Sequence, residues 1–389
     1  MMSTIEKISL YPISIPYKQT AGYAGDPSQS MLNAVIVAVQ TSEGETGYGD
    51  ALPDIHFTGE SIETVVIIIK RYLAPAIFGL NVFALEEIHS AMDIASVEGT
   101  NPSAKAALDI ALFDLIGKIT NQPVHQLLGG VFRSCIQQIP EIVFDEIDVA
   151  VSRCQEAVSQ GVQWLKIKVG GSPKQDVELV KQIRQVVGDD IELTTDANQG
   201  WRNYWTAQKI GRQLEEYNIA VLEQPLRAHD LKGHAELRTT LDMPIMLDES
   251  VCSLRDAIAA IELDACDIIS VKLHKCGGLW RARQLVNFCS AHGIPCHMGT
   301  NWETDLGWSA NLHAIVAFPG IQIFDAYSST EIYWGPKASI ASEPIRSTVQ
   351  EGVRMVEIPE GPGLGVTVDM ESIEKYLVQK PIHIENPSH

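Results

Sequence analysis

Two lysines stand one residue apart in WLKIKVGG, residues 164–171, among Trp164, Leu165, Ile167 and Val169. The alternation reads as a strand, and a strand turns Lys166 and Lys168 to one face. On a solvated edge this would be an ordinary use of lysine. The rest of the chain points elsewhere. Apolar runs lead into Asp196 in LTTDANQGW, Glu223 in AVLEQPL and Asp248 in PIMLDES, and then into Lys272 in IISVKLHKCGG. Each of these positions follows the last by about one β/α unit. Charges recurring at one place in a repeated unit fall on one rim, at the carboxyl ends of the strands, where barrel enzymes keep their sites. One such acid alone would read as a helix N-cap. Three on successive strands repel one another unless a divalent cation joins them. Oxygen donors without Cys or His favour Mg²⁺ or Mn²⁺ over zinc.

The same grouping suggests proton transfer. A lysine serves as a base when burial and neighbouring cations lower its pKa. Lys166 beside Lys168, with an ion near, would do this. A metal on a substrate carboxylate stabilises the enediolate left when the α-proton is removed. Lys168 precedes the three acidic strands and Lys272 follows them, so in a closed barrel they approach one centre from opposite sides.

The elements that must position these residues are legible from about residue 135. Apolar strands are expected near 137–143, 164–169, 191–196, 219–223, 244–248, 267–272, 294–298 and 321–325, with helices such as VELVKQIRQVVG and GGLWRARQLVNFCSAHG between them. Such alternation implies parallel pairing, in a closed barrel or an open doubly wound sheet. No strand is followed by GxGxxG, which argues against a dinucleotide-binding sheet. The first third reads as α+β, with strands in EKISLYPISI and AVIVAVQT, a turn in EGETGYG and helices at about 60–73, 82–94 and 102–120. KQTAGYAGDPSQS, between the first two strands, reads as a flexible loop. Residues 345–389 show few patterns and are expected to pack back on the first domain.

The 389 residues exceed one ordinary core. With 29 basic and 49 acidic side chains the net charge is −20, which excludes general nucleic-acid or anionic-membrane binding. The lysines could still supply local charge for a small anionic substrate. The seven cysteines are scattered, form no CxxC pair and read as reduced thiols. The start lacks an apolar h-region, and TVVIIIKRYLAPAIFG is broken by Lys70, Arg71 and Pro75. A soluble, cytoplasmic protein is expected.

Taken together, KIK (166–168), DANQGW (196–201), LEQP (222–225), LDES (247–250) and VKLHKCGG (271–278) resemble the enolase superfamily and, within it, the muconate lactonizing enzyme subgroup. The resemblance spans nearly the whole chain. It implies an α/β fold, a modified TIM barrel (β/α)7β at 131–335, with an α+β capping domain built from 1–130 and a returning segment, 336–389. It implies that Asp196, Glu223 and Asp248 bind Mg²⁺, with Mn²⁺ a possible substitute. Lys168 and Lys272 become the acid/base pair, and Lys166 neutralises the substrate carboxylate and tunes Lys168. The mandelate racemase subgroup carries a His–Asp dyad on later strands and an Asp where this chain has Lys272, so that subgroup does not fit.

Further roles follow from the resemblance. Asp325, ending the eighth strand in IQIFDAYSS, lies where the superfamily often has an acid, more familiarly Glu, that hydrogen-bonds the enediolate. Asn198 and Glu249 are expected to orient the ligands, and His297 to be structural. Glu303 either lines the site or is exposed. In the capping domain 22–26 and 54–61 should overhang the barrel mouth, with Tyr23 and His56 as substrate contacts. Dipeptide epimerases are expected to show Asp-x-Asp after the eighth strand, which FDAYS lacks. The implied reaction is racemisation or epimerisation of a small carboxylate substrate. Muconate-type cycloisomerisation and syn-dehydration are the enzyme alternatives, a catalytically silent small-molecule binder the other. A homo-oligomer is expected.

Overall fold

The computed structural model describes residues 3–326 and 338–387, without the side chains of 19–21, 27 and 28. The chain opens with an antiparallel meander, β1 (Ile5–Tyr23), β2 (Asp26–Thr41) and β3 (Thr46–Ala51). Residues 18–30, expected as a loop, are instead the far end of the β1–β2 hairpin, which closes at Tyr23↔Asp26. Composition misled here. Pairing with the neighbouring strand satisfies the backbone whatever the side chains, and register shifts after Pro16 and Ala21 absorb the irregular residues. The helix Pro102–Thr120 lies against β3 and is buried on all sides from Ser103 to Gly117. GYG in β3 permits that approach: a Cβ on Gly49 would fall 2.3 Å from Ala107 O.

The barrel strands are β4 (Glu141–Ile142), β5 (Trp164–Lys168), β6 (Glu192–Asp196), β7 (Ile219–Glu223), β8 (Ile245–Leu247), β9 (Ile268–Val271), β10 (Cys296–Met298) and β11 (Ile321–Phe324). They form one sheet in chain order, with every neighbouring pair parallel. Its edges meet in an antiparallel bridge, where Ile139 N–H donates to Ala326 O at 2.8 Å. A helix lies between each strand and the next, which is the (β/α)7β order. The first strand is shorter than expected because Gln137 and Gln138 pair elsewhere. Gln137 bridges Met355, and Gln138 N–H donates to Arg354 O, both in the hairpin of β12 (Ser347–Gln350) and β13 (Val353–Val356).

The chain then returns to its beginning. β14 (Ile382–Glu385) pairs with β1, from Lys7↔Glu385 to Leu10↔Ile382, and extends the first sheet to the order β14-β1-β2-β3. The boundary expected at residue 335 lies outside the described residues. Among the described residues no helix is long and apolar enough to cross a membrane, and all seven cysteines are free thiols.

Candidate active site

Parallel register brings the rim residues together. Lys168 is the Cα partner of Asp196, and Asp196 of Glu223. Asp248 follows β8 directly, and Lys272 follows β9 as the N-cap of the one-turn helix Leu273–Cys276. Asp196, Glu223 and Asp248 are 0% exposed. Each is met by a lysine. Lys166 Nζ lies 2.7 Å from Glu223 Oε2, 3.0 Å from Asp325 Oδ2 and 3.4 Å from Asp196 Oδ2. Lys168 Nζ donates to Asp196 Oδ2 at 2.7 Å and to Asn198 Oδ1 at 2.9 Å, and lies 2.7 Å from Glu141 Oε1. Lys272 Nζ is 2.8 Å from Asp248 Oδ2 and stands 4.8 Å over the Phe57 ring.

These contacts set the charge states. Burial alone would lower Lys168, but Asp196 and Glu141 outweigh it and hold the ammonium above its ordinary pKa. For Lys272, burial is likewise outweighed, by Asp248. Lys166 does act to lower Lys168, but Asp196 and Glu141 have the larger effect. Burial pushes Asp196 up, yet Lys168 and Lys166 together bring it below the usual carboxylate range. Glu223 goes the other way: burial, then the charges of Asp196 and Asp248, push it up to about 7. Glu249 is pushed up to about 8 by burial, Asp248 and Asp196.

The donor set fits a hard divalent ion. Three buried carboxylates stand at successive strand ends, Glu223 Oε1 is buried with no hydrogen-bond partner among the described residues, and the raised Glu223 marks a local shortage of positive charge. Among the described residues no three acids, His or Cys are already gathered as a metal cage. Lysine ammonium groups stand between the carboxylates instead.

Above them is a cavity of about 360 Å³. Lys168 and Lys272 line it and reach down to Asp196 and Asp248. The cap supplies its roof. Tyr23 lines it and donates to Asp54 Oδ2 at 3.1 Å, and His56 sits exposed at its edge. Asn198 lines it too and joins Lys168 to Glu249 Oε1, 3.1 Å from Asn198 Nδ2. Asp325 is drawn beneath, accepting from Lys166 and from His297 Nε2, both at 3.0 Å. His297 Nδ1 is 3.0 Å from Ser270 Oγ, which gives the ring a fixed place in the barrel. Glu303 neither lines the cavity nor is exposed. The turn at Trp302, φ 58°, carries it inward, where it accepts from Asn301 N at 2.7 Å and is 0% exposed.

Sequence reading missed three side chains. Glu141 opens β4 rather than ending it, level with Lys166, so the strand-end rule does not reach it. Lys275, inside VKLHKCGG, donates to Asp248 Oδ1 at 2.7 Å and Asp248 O at 2.6 Å. Trp302 forms the cavity wall, edge-on to Tyr17 and Tyr23 at 6.0 and 6.3 Å, and no local pattern announces it.

The enolase C-terminal domain-like family profile matches residues 149–372, and the mandelate racemase / muconate lactonizing enzyme N-terminal domain profile matches 25–129. The chain belongs to the mandelate racemase / muconate lactonizing enzyme family. Within this family of the enolase superfamily, the chain is 34% identical over 385 residues to an N-succinyl-L-Arg/Lys racemase of Bacillus cereus, covering 97% of this chain and 99% of that one. The crystal structure of that racemase overlays with a TM-score of 0.91 at 32% identity, over 98% and 100% of the two chains. A hydrophobic dipeptide epimerase of Enterococcus faecalis is 34% identical over 93% of this chain and 99% of its own. Its structure, complexed with Mg and L-Leu-L-Tyr, has a TM-score of 0.83 at 34% identity and covers 94% and 99%. Muconate cycloisomerase 1 of Rhodococcus opacus is 34% identical over 88% and 90%.

Proposed function

We propose that the protein is a racemase or epimerase that removes the α-proton of a small carboxylate substrate and returns a proton to the opposite face. The observation that carries this is the pair Lys168 and Lys272, on strands flanking the three acids and both lining one cavity. Asp196, Glu223 and Asp248 would hold Mg²⁺, the ion present with the Enterococcus faecalis epimerase. Bound there, the ion supplies a Lewis acid for the substrate carboxylate and offsets the carboxylate charge that holds both lysines protonated.

The chain's own residues do the rest. Lys168 and Lys272 exchange protons with the α-carbon, one on each face. Asn198 fixes Lys168 from the side, and its amide ties the same unit to Glu249. Lys166 stays with Glu223 and Asp325 and keeps positive charge under the substrate's carboxylate. Trp302, Tyr17 and Tyr23 close the cavity and exclude water, which strengthens every charge interaction inside.

An N-acylated amino acid is the substrate class we favour. It matches the Bacillus cereus relative, and FDAYS offers one Asp where a dipeptide's ammonium group would want two; Tyr327, in that stretch, lies outside the described residues. The 34% match to a muconate cycloisomerase supports lactonization as the second reading. Proton NMR in D₂O, over N-acyl amino acids, dipeptides and muconate with and without Mg²⁺, tests both. Metal-dependent α-hydrogen exchange with an N-acyl amino acid supports the first reading. Turnover of muconate alone replaces it with the second, and binding without exchange replaces both with a silent binder.

A further inference from the structure

We propose that Asp50, at the end of β3 in the cap, is a positioning residue for Lys272, acting through His274. The inference rests on the two-lysine reading and adds to it a device that sets one of the two faces from outside the barrel.

Lys272, His274 and Lys275 share the turn Leu273–Cys276. One side of that turn is tied to the barrel. Lys272 and Lys275 take the two oxygens of Asp248, at 2.8 and 2.7 Å. The other side is tied to the cap, where His274 donates from Nε2 to Asp50 Oδ1 at 3.1 Å and to Asp50 O at 3.0 Å. The second carboxylate oxygen of Asp50 accepts from Thr304 Oγ1 at 2.6 Å and Thr304 N at 3.3 Å. Thr304 ends the loop that presents Thr300, Asn301 and Trp302 to the cavity. One buried cap carboxylate thus fixes both the turn that carries Lys272 and the wall beside it. The tie to Lys168 is more remote: its partners described above, Asp196, Asn198 and Glu141, all belong to the barrel, and Glu141 meets the same loop through Trp302 Nε1 at 2.7 Å.

The clamp has no slack. Asp50, His274, Glu303 and Thr304 are 0% exposed. Gly307 opens the helix Asp305–Ala317 against the pair, and a Cβ there would lie 2.7 Å from Asp50 Oδ1 and 2.8 Å from His274 Cε1. Glu303 Oε1 lies 3.9 Å from His274 Nδ1, on the far side of the ring. Burial would lower His274, but Asp50 and Glu303 outweigh it and hold the imidazole above its ordinary pKa. Contacts on both sides of the ring resist its displacement more than a contact on one side alone.

A simple glue between cap and barrel would give the same contacts, so the test must separate the two faces. In the full-length protein, Asp50→Asn, His274→Gln, Thr304→Val and Gly307→Ala are compared with wild type. Two quantities are read: α-hydrogen exchange of each substrate enantiomer in D₂O, and the rate of Lys272 acetylation relative to Lys168 by mass spectrometry of the unliganded protein. Exchange on the Lys272 face is expected to fall about 10- to 100-fold, the cost of roughly 1 Å of misplacement, with the Lys168 face nearly unchanged. The Lys272:Lys168 acetylation ratio is expected to shift several-fold. Equal loss on both faces, or an unchanged acetylation ratio in variants that unfold in urea cooperatively, would overturn the proposal. If Asp50→Asn does not fold, Thr304→Val and Gly307→Ala decide it, since neither removes a charge. If wild type exchanges no substrate, the proposed function fails, while the acetylation ratio still decides the positioning role.

Discussion

Gly299 sits just past β10, beneath the stem of Lys272, and a single added methyl there isolates that lysine's placement. An ideal Cβ at 299 would fall 2.8 Å from Lys272 Cε, 3.2 Å from Lys272 Cγ and 3.0 Å from Ser270 Oγ. Carbon atoms rest about 3.5–4.0 Å apart, so the methyl overlaps Cε by about 1 Å. Ser270 is held by His297 Nδ1 at 3.0 Å and yields little. The lysine, a flexible chain with its end in the cavity, is what gives way. Gly299→Ala should therefore cost only about 1–3 kcal/mol of stability by overpacking. Its effect on proton transfer should be larger, about 100-fold on the Lys272 face for about 1 Å of displacement. Urea unfolding measures the first quantity. The second is the deuterium exchange rate of each enantiomer of an accepted substrate. A variant that folds and exchanges both enantiomers at wild-type rates would refute the claim that Lys272 works from this position.

Other expected outcomes follow from the same geometry. Glu223→Gln should keep the far-ultraviolet circular dichroism of wild type and lose about 10³-fold in metal-dependent exchange, while full turnover in excess chelator would remove the metal from the account. Lys275→Met leaves Asp248 short of one buried ion-pair partner and should destabilise by about 3–5 kcal/mol, part of which Asp248→Asn should restore in the double variant. If urea unfolding shows under about 1 kcal/mol, the pair carries no net weight. Burial holds His234, 0% exposed, down to about 4 from its ordinary 6.5. The unfolded chain therefore takes up this proton first, so the contribution is fully present above about pH 6.5 and is lost as pH falls toward 4. It amounts to about 3 kcal/mol. Urea midpoints at pH 7 and pH 4 should differ less in His234→Gln than in wild type, and identical differences would sink the assignment.

The rim was legible because each charge ends its own short apolar run, and parallel strands align such ends without further information. Lys168, Asp196 and Glu223 needed only that rule to become register partners, whereas Glu141 opens the two-residue β4, level with Lys166, and falls outside it. The hairpin of residues 18–30 was not legible, because Gly, Ser and Pro mark loops in isolation, while a strand partner supplies what the side chains lack. Nor was the link between Asp50 and His274, since their contact joins β3 to the turn after β9 and leaves no local periodicity. The ion pairs around the lysines escaped for a different reason. Lys166 beside Lys168 shows like charges, but the sequence does not show that Glu141, Asp196, Glu223 and Asp325 close around them.

The central claim is that Lys168 and Lys272 serve opposite faces of one α-carbon. The most direct measurement is proton NMR in D₂O on each enantiomer of an accepted substrate with Lys168→Ala and Lys272→Ala. Both variants should lose net inversion. Lys168→Ala should still exchange the α-hydrogen of one enantiomer through Lys272, and Lys272→Ala should exchange only the other. Exchange of both enantiomers by either single-lysine variant would contradict the assignment of one lysine to each face.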